Sequence, residues 1–181
     1  TFTYASAEYC VSGSDPTPTI SGTTGGTFSS TSGLSINAST GEIDLSTSTA
    51  GTYTVSYLTS SNTCAVTGTF DVTITDDEDG TFTYASTEYC KSGSNPTPTI
   101  TGTTGGTFSS TAGLSINTST GEINIAASTT GTYTVSYLTS SNLCAVTGTF
   151  DVTITDDEDG TFTYASAEYC VSGSDPTPTT V

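Results

Sequence analysis

The stretch Gly51-Thr52-Tyr53-Thr54-Val55-Ser56-Tyr57-Leu58 predicts the fold most directly. Large apolar residues alternate with polar ones along it, and the side chains of a β-strand point alternately to opposite faces. We therefore expect a strand whose stripe of Tyr53, Val55 and Tyr57 faces a hydrophobic core.

A second alternating stretch follows at residues 65–75, and the same period places four of its apolar side chains on one face: Val66, Phe70, Val72 and Ile74. The polar segment Ser60-Ser61-Asn62 separates the two stretches. They are expected to pair as an antiparallel hairpin with Cys64 near its entry.

Upstream of this hairpin, short alternating segments are separated by turns rich in Gly, Pro, Ser and Asn. About seven strands in one repeat, together with Tyr53 at the start of a long strand, resemble the immunoglobulin fold and its tyrosine corner. Val55 stands where an antibody domain has its second Cys, and the chain has no Trp. The predicted fold class is all-β, with tandem immunoglobulin-like β-sandwich domains forming an extended rod.

The chain repeats itself with a period of 80 residues. Thr75-Asp76-Asp77-Glu78-Asp79-Gly80 returns unchanged at residues 155–160, and residues 81–160 differ from 1–80 at only 12 positions. We therefore divide the chain into repeat 1 (1–80), repeat 2 (81–160) and the start of an incomplete third repeat (161–181). Eighty residues is small for one core, so each repeat should need reinforcement.

Charge and composition exclude several classes of function. One Lys, no Arg and no His stand against 18 acidic residues, giving a net charge of −17. Such a chain repels phosphate backbones and anionic lipid heads, so we expect no nucleic-acid partner and no binding to a membrane surface. No apolar run approaches about 18 residues, so no direct membrane insertion is expected. The usual partners of acid–base and nucleophilic catalysis are missing, so the chain is not expected to be an enzyme.

The five cysteines recur at two positions in each repeat: Cys10, Cys64, Cys90, Cys144 and Cys170. This spacing favours disulfides within each repeat, Cys10–Cys64 and Cys90–Cys144, which would brace a small extracellular domain. Pairing across the junction, Cys64 to Cys90, is the alternative. Either arrangement implies an oxidising compartment.

The acidic junctions are candidate calcium sites, because calcium takes six to eight hard oxygen ligands. The possible ligands are the junction acids, together with a glutamate near the start of each following repeat that could reach back to them: Asp76, Asp77, Glu78, Asp79, Glu88, Asp156, Asp157, Glu158, Asp159 and Glu168. The alternative is a solvated acidic linker. Calcium is the one cofactor that the sequence suggests.

Several motifs together resemble the repeats of giant cell-surface adhesins of gliding Bacteroidetes, the SprB type. They are Pro16-Thr17-Pro18-Thr19-Ile20, Gly25-Gly26-Thr27-Phe28-Ser29, Gly33-Leu34-Ser35-Ile36-Asn37, Ser39-Thr40-Gly41-Glu42-Ile43 and Gly51-Thr52-Tyr53-Thr54-Val55. The resemblance implies a secreted surface filament that contacts the substratum during gliding.

We therefore expect an extracellular, cell-surface stalk whose nearest partners are neighbouring repeats of the same chain, with substratum or glycan contacted through other regions. One alternative is that the repeats themselves bind glycan multivalently, through loops such as Ser60-Ser61-Asn62 and Thr23-Thr24-Gly25-Gly26. Another is self-polymerisation by strand exchange through residues 161–181.

Overall fold

The structure is a computed structural model that describes residues 1–60, 63–141 and 143–180, with only the backbone of Thr180. These residues form β-strands, turns and loops, and none of them is helical. Within this described part, no helix could cross a membrane.

The described part of repeat 1, residues 1–60 and 63–80, contains eight strands. They are β1 (Phe2–Thr3), β2 (Glu8–Cys10), β3 (Thr19–Ile20), β4 (Thr27–Ser30), β5 (Ser35–Ile36), β6 (Ile43–Asp44), β7 (Gly51–Leu58) and β8 (Thr67–Thr75).

Repeat 2 has the same order of elements, except that the counterpart of the β5–β6 pair is a single bridge between Ile116 and Ile123. Its strands are β9 (Phe82–Thr83), β10 (Glu88–Cys90), β11 (Thr99–Ile100), β12 (Thr107–Ser110), β13 (Gly131–Leu138) and β14 (Thr147–Thr155). The segment after Gly160 contributes β15 (Phe162–Thr163) and β16 (Thr179–Thr180), which pair with each other.

The hairpin predicted from the alternating stretches is confirmed. β7 and β8 pair antiparallel along their whole length, from Gly51 opposite Ile74 to Leu58 opposite Thr67. β4 extends this sheet beyond β7, and β2 extends it beyond β8, giving the order β2-β8-β7-β4. Smaller two-stranded sheets, β1-β3 and β5-β6, complete the sandwich of repeat 1.

One pairing in this sheet runs parallel. β2 lies beside β8 with Glu8 opposite Thr73 and Cys10 opposite Thr75, and β10 lies in the same way beside β14. The first cysteine of each repeat therefore sits where the last strand ends. This position governs how the repeats meet.

Each repeat has its own hydrophobic core. The predicted stripe on β7 is buried, with Tyr53 6%, Val55 0% and Tyr57 2% exposed. On β8 the prediction holds for Val72 and Ile74, which are buried, and in part for the half-buried Phe70. It is wrong for Val66, which is 64% exposed because it precedes the strand.

The tyrosine corner is present in both repeats. The hydroxyl of Tyr53 donates to the carbonyl of Thr49 at 2.7 Å, and that of Tyr133 donates to the carbonyl of Thr129 at 2.9 Å. A tyrosine at the start of a long strand that bonds back to the preceding corner is typical of immunoglobulin-like sandwiches. The strand order and this contact together support the predicted all-β, immunoglobulin-like sandwich.

Candidate functional site: the junction between the repeats

The junction segment, Thr75–Gly80, leaves the end of β8 and packs against the near end of repeat 2. The backbone N–H of Glu78 donates to the carbonyl of Cys144 at 3.0 Å. The Glu78 carboxylate in turn accepts a hydrogen bond from the backbone N–H of Ser141 at 2.9 Å. One residue of repeat 1 thereby satisfies polar groups of a loop in repeat 2.

Asp79 makes the next contact with repeat 2. Its carbonyl accepts from the N–H of Thr103 at 2.7 Å, and its own N–H donates to the Thr103 hydroxyl at 3.1 Å. The Asp79 carboxylate accepts from the hydroxyl and the N–H of Thr81, and these hydrogen bonds lower its pKa, the side-chain bond more than the backbone one. Asp79 therefore acts as a turn residue that directs the chain into repeat 2.

The backbones come very close at two glycines. A Cβ placed on Gly148 would lie 1.9 Å from the carbonyl oxygen of Gly80, and one placed on Gly102 would lie 2.1 Å from the carbonyl oxygen of Asp79. Real Cβ atoms do not approach other atoms so closely, so only glycine fits at both positions. We call Gly102, Thr103, Ser141, Cys144, Val146 and Gly148 the receiving face of repeat 2.

A disulfide closes the junction. Cys10 of repeat 1 is bonded to Cys144 of repeat 2, with their Cα atoms 5.5 Å apart, and both residues are buried. The bond joins residues 134 positions apart, and a loop of that length contributes about 5 kcal/mol in the chain-entropy view. Disulfides persist in oxidising compartments, so this bond supports an extracellular setting.

The predicted pairing within each repeat is wrong for Cys10 and Cys144. The parallel register places Cys10 beside Thr75, at the far end of β8, whereas Cys64 precedes the start of that strand at Thr67. A nine-residue strand spans roughly 26 Å, while a disulfide needs Cα atoms less than about 7 Å apart. The alternative, Cys64 to Cys90, is not formed either, and Cys90 and Cys170 are exposed thiols.

The hydrogen bonds that the junction acids accept come from separate groups. Asp77 accepts from the Ser12 hydroxyl at 2.8 Å, and Asp157, its counterpart in repeat 2, accepts from the Ser92 hydroxyl at 2.7 Å. The hydroxyl, and then the backbone N–H, of Ser92 lower the pKa of Asp157. Asp76 and Asp156 are exposed.

Among the described residues, one group of three possible metal ligands is close enough to share an ion, and it consists of Cys10, Asp77 and Cys144. Two of its members are the disulfide sulfurs, which are not available as thiolate ligands. Glu88 lies opposite Thr153, at the end of repeat 2 that leads into Asp156–Asp159 and away from Asp76–Asp79. The expectation that Glu88 reaches back to the preceding junction is therefore wrong.

Residues of repeat 2 that correspond to the predicted glycan-contact loops lie at the junction. In repeat 2 the corresponding residues Thr103 and Ser141 bind Asp79 and Glu78 of repeat 1. Of the predicted loop in repeat 1, Ser61 and Asn62 lie outside the described residues.

No known protein family matches the sequence. No curated protein matches it either.

Among solved structures, the chain is similar to a SusE-like surface-located polysaccharide-binding protein from Bacteroides thetaiotaomicron, with 15% identity and a TM-score of 0.39 over 90% of this chain and 36% of that one. It is similar to human protocadherin-24 EC1-2, with 10% identity and a TM-score of 0.34 over 87% of this chain and 98% of that one. It is also similar to titin domains Z1Z2 in complex with telethonin, with 14% identity and a TM-score of 0.31 over 87% and 98%. The chain thus spans about a third of the SusE-like protein.

Proposed function

We propose that the chain is a non-catalytic spacer region of an extracellular surface protein, in which successive repeats lock together as a stiff rod. The observation that carries this proposal is the junction itself, where the Cys10–Cys144 disulfide and the hydrogen bonds of Glu78 and Asp79 join repeat 1 to repeat 2. A flexible tether needs no such contacts. A stalk that holds an adhesive tip away from a cell does.

The near identity of the repeats supports the same role. Most of the 12 differences between repeats 1 and 2 lie outside the core, and the junction segment is unchanged. A spacer depends on length and on a repeated joint, whereas a specific binding surface depends on particular exposed residues. The resemblance to gliding adhesins extends the proposal to a surface filament used in motility.

Small-angle X-ray scattering of the oxidised chain tests the rod. The maximum dimension should match that of a fixed pair of repeats and should stay constant with temperature, and a reductant that opens Cys10–Cys144 should broaden the distribution of distances. If the oxidised pair already scatters as a flexible dumbbell, the stiff-spacer proposal is wrong.

The same measurement with calcium and with excess chelator tests the ion hypothesis. Calcium at the junction would require carboxylates that now accept separate hydrogen bonds to rearrange around one ion. A chelator-dependent change in the distance distribution would support a calcium site. An unchanged curve would leave the acids as hydrogen-bonding and solubilising groups.

A polar cleft that recurs in both repeats favours glycan binding as a second candidate function. In repeat 1 it measures about 350 Å³ and is lined by Asp15, Ser35, Ile36, Asn37, Glu42 and Asp44. In repeat 2 it measures about 300 Å³, and Asn95 and Asn124 replace two of the acids. Carboxylates and amides are suitable partners for sugar hydroxyls.

Glycan-array binding tests this candidate. Two weak sites on one chain should show avidity, which replacement of Glu42 and Glu122 by alanine should remove. Binding that survives the double substitution would place any glycan site elsewhere.

A further inference from the structure

Three side chains that can bind a metal ion meet where the two repeats join. The Sγ atoms of Cys10 and Cys144 and a carboxylate oxygen of Asp77 all lie within 4.8 Å of one another. They come from three separate segments, namely β2, the loop before β14 and the junction segment. The joint therefore brings together a set of ligands that neither repeat contains alone.

Backbone hydrogen bonds hold the two cysteines near each other independently of the disulfide. Cys10 lies opposite Thr75 in the parallel β2–β8 pair, and the N–H of Val11 donates to the Thr75 carbonyl at 3.1 Å. The carbonyl of Cys144 accepts from the N–H of Glu78 at 3.0 Å. These contacts do not involve the sulfur atoms, so they can keep the two side chains close when the S–S bond is opened.

The hydroxyl of Ser12 orients the third ligand. It donates to Oδ1 of Asp77 at 2.8 Å. A carboxylate has two oxygens and about four lone-pair sites, so this hydrogen bond leaves capacity for a metal ion. In metal sites, ligating side chains are typically held by such an outer hydrogen-bond partner. Ser12 is placed to fill that role for Asp77.

Two thiolates and one carboxylate suit zinc better than calcium. Thiolates are soft ligands that select zinc, which binds sulfur at about 2.3 Å and carboxylate oxygen at about 2.0–2.2 Å. Two such zinc–sulfur bonds in a tetrahedral site place the sulfurs about 3.8 Å apart. Rotation of both cysteine side chains can reach this separation, because their Cα atoms are 5.5 Å apart. A water molecule would take the fourth position.

We propose that the reduced joint binds one zinc ion through the thiolates of Cys10 and Cys144 and the carboxylate of Asp77. A dithiol reductant supplies two electrons and two protons, which convert the disulfide into two thiols, and the reductant closes into its own disulfide. Zinc then bonds to both sulfurs while the two thiol protons leave to solvent. This goes beyond the spacer function, because it adds a metal site and a second way to close the joint.

Cobalt binding to the reduced chain tests the proposal, because cobalt occupies zinc sites and its absorption spectrum reports thiolate ligands. The other cysteines, Cys64, Cys90 and Cys170, are exposed and are first replaced by serine. Circular dichroism of the oxidised protein confirms that this parent chain is folded. After reduction by the dithiol and desalting without oxygen, one cobalt ion per chain should give a sulfur-to-cobalt charge-transfer band. Zinc should displace the cobalt, whereas excess calcium should not.

The decisive variant is Asp77→Asn, with Asp76→Asn as its matched control. Asp77→Asn removes the charged ligand but keeps an acceptor for Ser12, and it should weaken zinc binding at least about tenfold. Asp76→Asn removes the same charge from the neighbouring exposed residue and should leave zinc affinity unchanged. Competition with a coloured zinc chelator measures both variants.

Three results would overturn the proposal. One is a reduced parent chain that gives no charge-transfer band. Another is an oxidised chain that gives the same band as the reduced one, since the disulfide sulfurs would then not be the ligands. The third is an Asp77→Asn chain that binds zinc as tightly as its parent, or no more weakly than the Asp76→Asn chain does.

Discussion

The hexapeptide Thr-Asp-Asp-Glu-Asp-Gly occurs twice in the chain, and its two copies have different surroundings. At residues 75–80 it lies against the receiving face of repeat 2, with Gly80 buried and Glu78 half-buried. At residues 155–160 its last five residues are exposed, and it leads into a segment in which Phe162 is 57% exposed, whereas Phe2 and Phe82 are each 4% exposed. The same residues therefore form a structured joint only where a complete sandwich follows them.

Of the changes that distinguish the two copies, removing the disulfide should have the largest effect on the free energy of unfolding. Cys10→Ser opens the covalent loop and should lower the free energy of unfolding by about 5 kcal/mol in the chain-entropy view. Cys90→Ser, at the equivalent but exposed thiol, should leave stability almost unchanged. Denaturant unfolding of the oxidised variants measures both. Equal losses would contradict the role of Cys10 at the joint.

Adding a methyl group where the two backbones come close should have the next largest effect on stability. Gly148→Ala places a methyl group against the Gly80 carbonyl and should cost about 1–3 kcal/mol, as overpacking does. Gly68→Ala is the matched control, because its methyl group meets no backbone atom within 4 Å. Thermal unfolding followed by calorimetry compares them. A similar shift in both variants would show that the glycine is needed within each sandwich and not for the joint.

Glu78 and Glu158 occupy the same position in the two copies of the hexapeptide, so matched alanine variants compare the docked copy with the exposed one. Glu78→Ala removes the acceptor of the Ser141 N–H and should destabilise repeat 2 by about 1 kcal/mol. Glu158→Ala changes the exposed counterpart and should have no measurable effect. Amide hydrogen exchange at Ser141 reports the loss directly. Unchanged protection in the Glu78 variant would mean that the carboxylate is dispensable.

Lowering the pH should produce the smallest difference between the two copies of the hexapeptide. Hydrogen bonds lower the pKa of both Asp79 and Asp159 in the folded chain. A lowered carboxyl pKa gives stability that is fully present above the unfolded value, about 3.9, and is lost as pH falls through the folded value. Below about pH 4 the turns at Asp79 and Asp159 should both loosen. At Asp79 the loosened turn should also weaken the hydrogen bond between Asp79 and Thr103 of repeat 2. Nuclear magnetic resonance of the Thr103 amide across this range measures it. A Thr103 signal unaffected by acid would separate the turn from the joint.

The sandwich itself could be predicted because its signals are local. Eight consecutive residues contain both the alternation of Tyr53, Val55 and Tyr57 and the position of Tyr53 at the start of its strand. The structure confirms both features. Strand β2 was harder to place, since its three residues give no sign that they pair in parallel with β8.

The joint could be predicted only in part, because it depends on long-range pairing. The sequence marks the junction acids and the cysteines, but the partner of Cys10 follows from the parallel register and from the docking of a second repeat. Composition also cannot distinguish acids that converge on an ion from acids that each accept a separate hydrogen bond. Asp77 and Asp79 belong to the second kind in this structure.

The Cys10–Cys144 bond also bears on how such a chain would respond to pulling. A load applied ahead of Cys10 and beyond Cys144 passes through one covalent bond, so the residues between them are bypassed. The sequence separation of 134 corresponds to roughly 450 Å of extended chain that tension cannot draw out until the bond is reduced. We expect an oxidised tether to be short and hard to stretch, and a reduced one to release its two sandwiches as spare length.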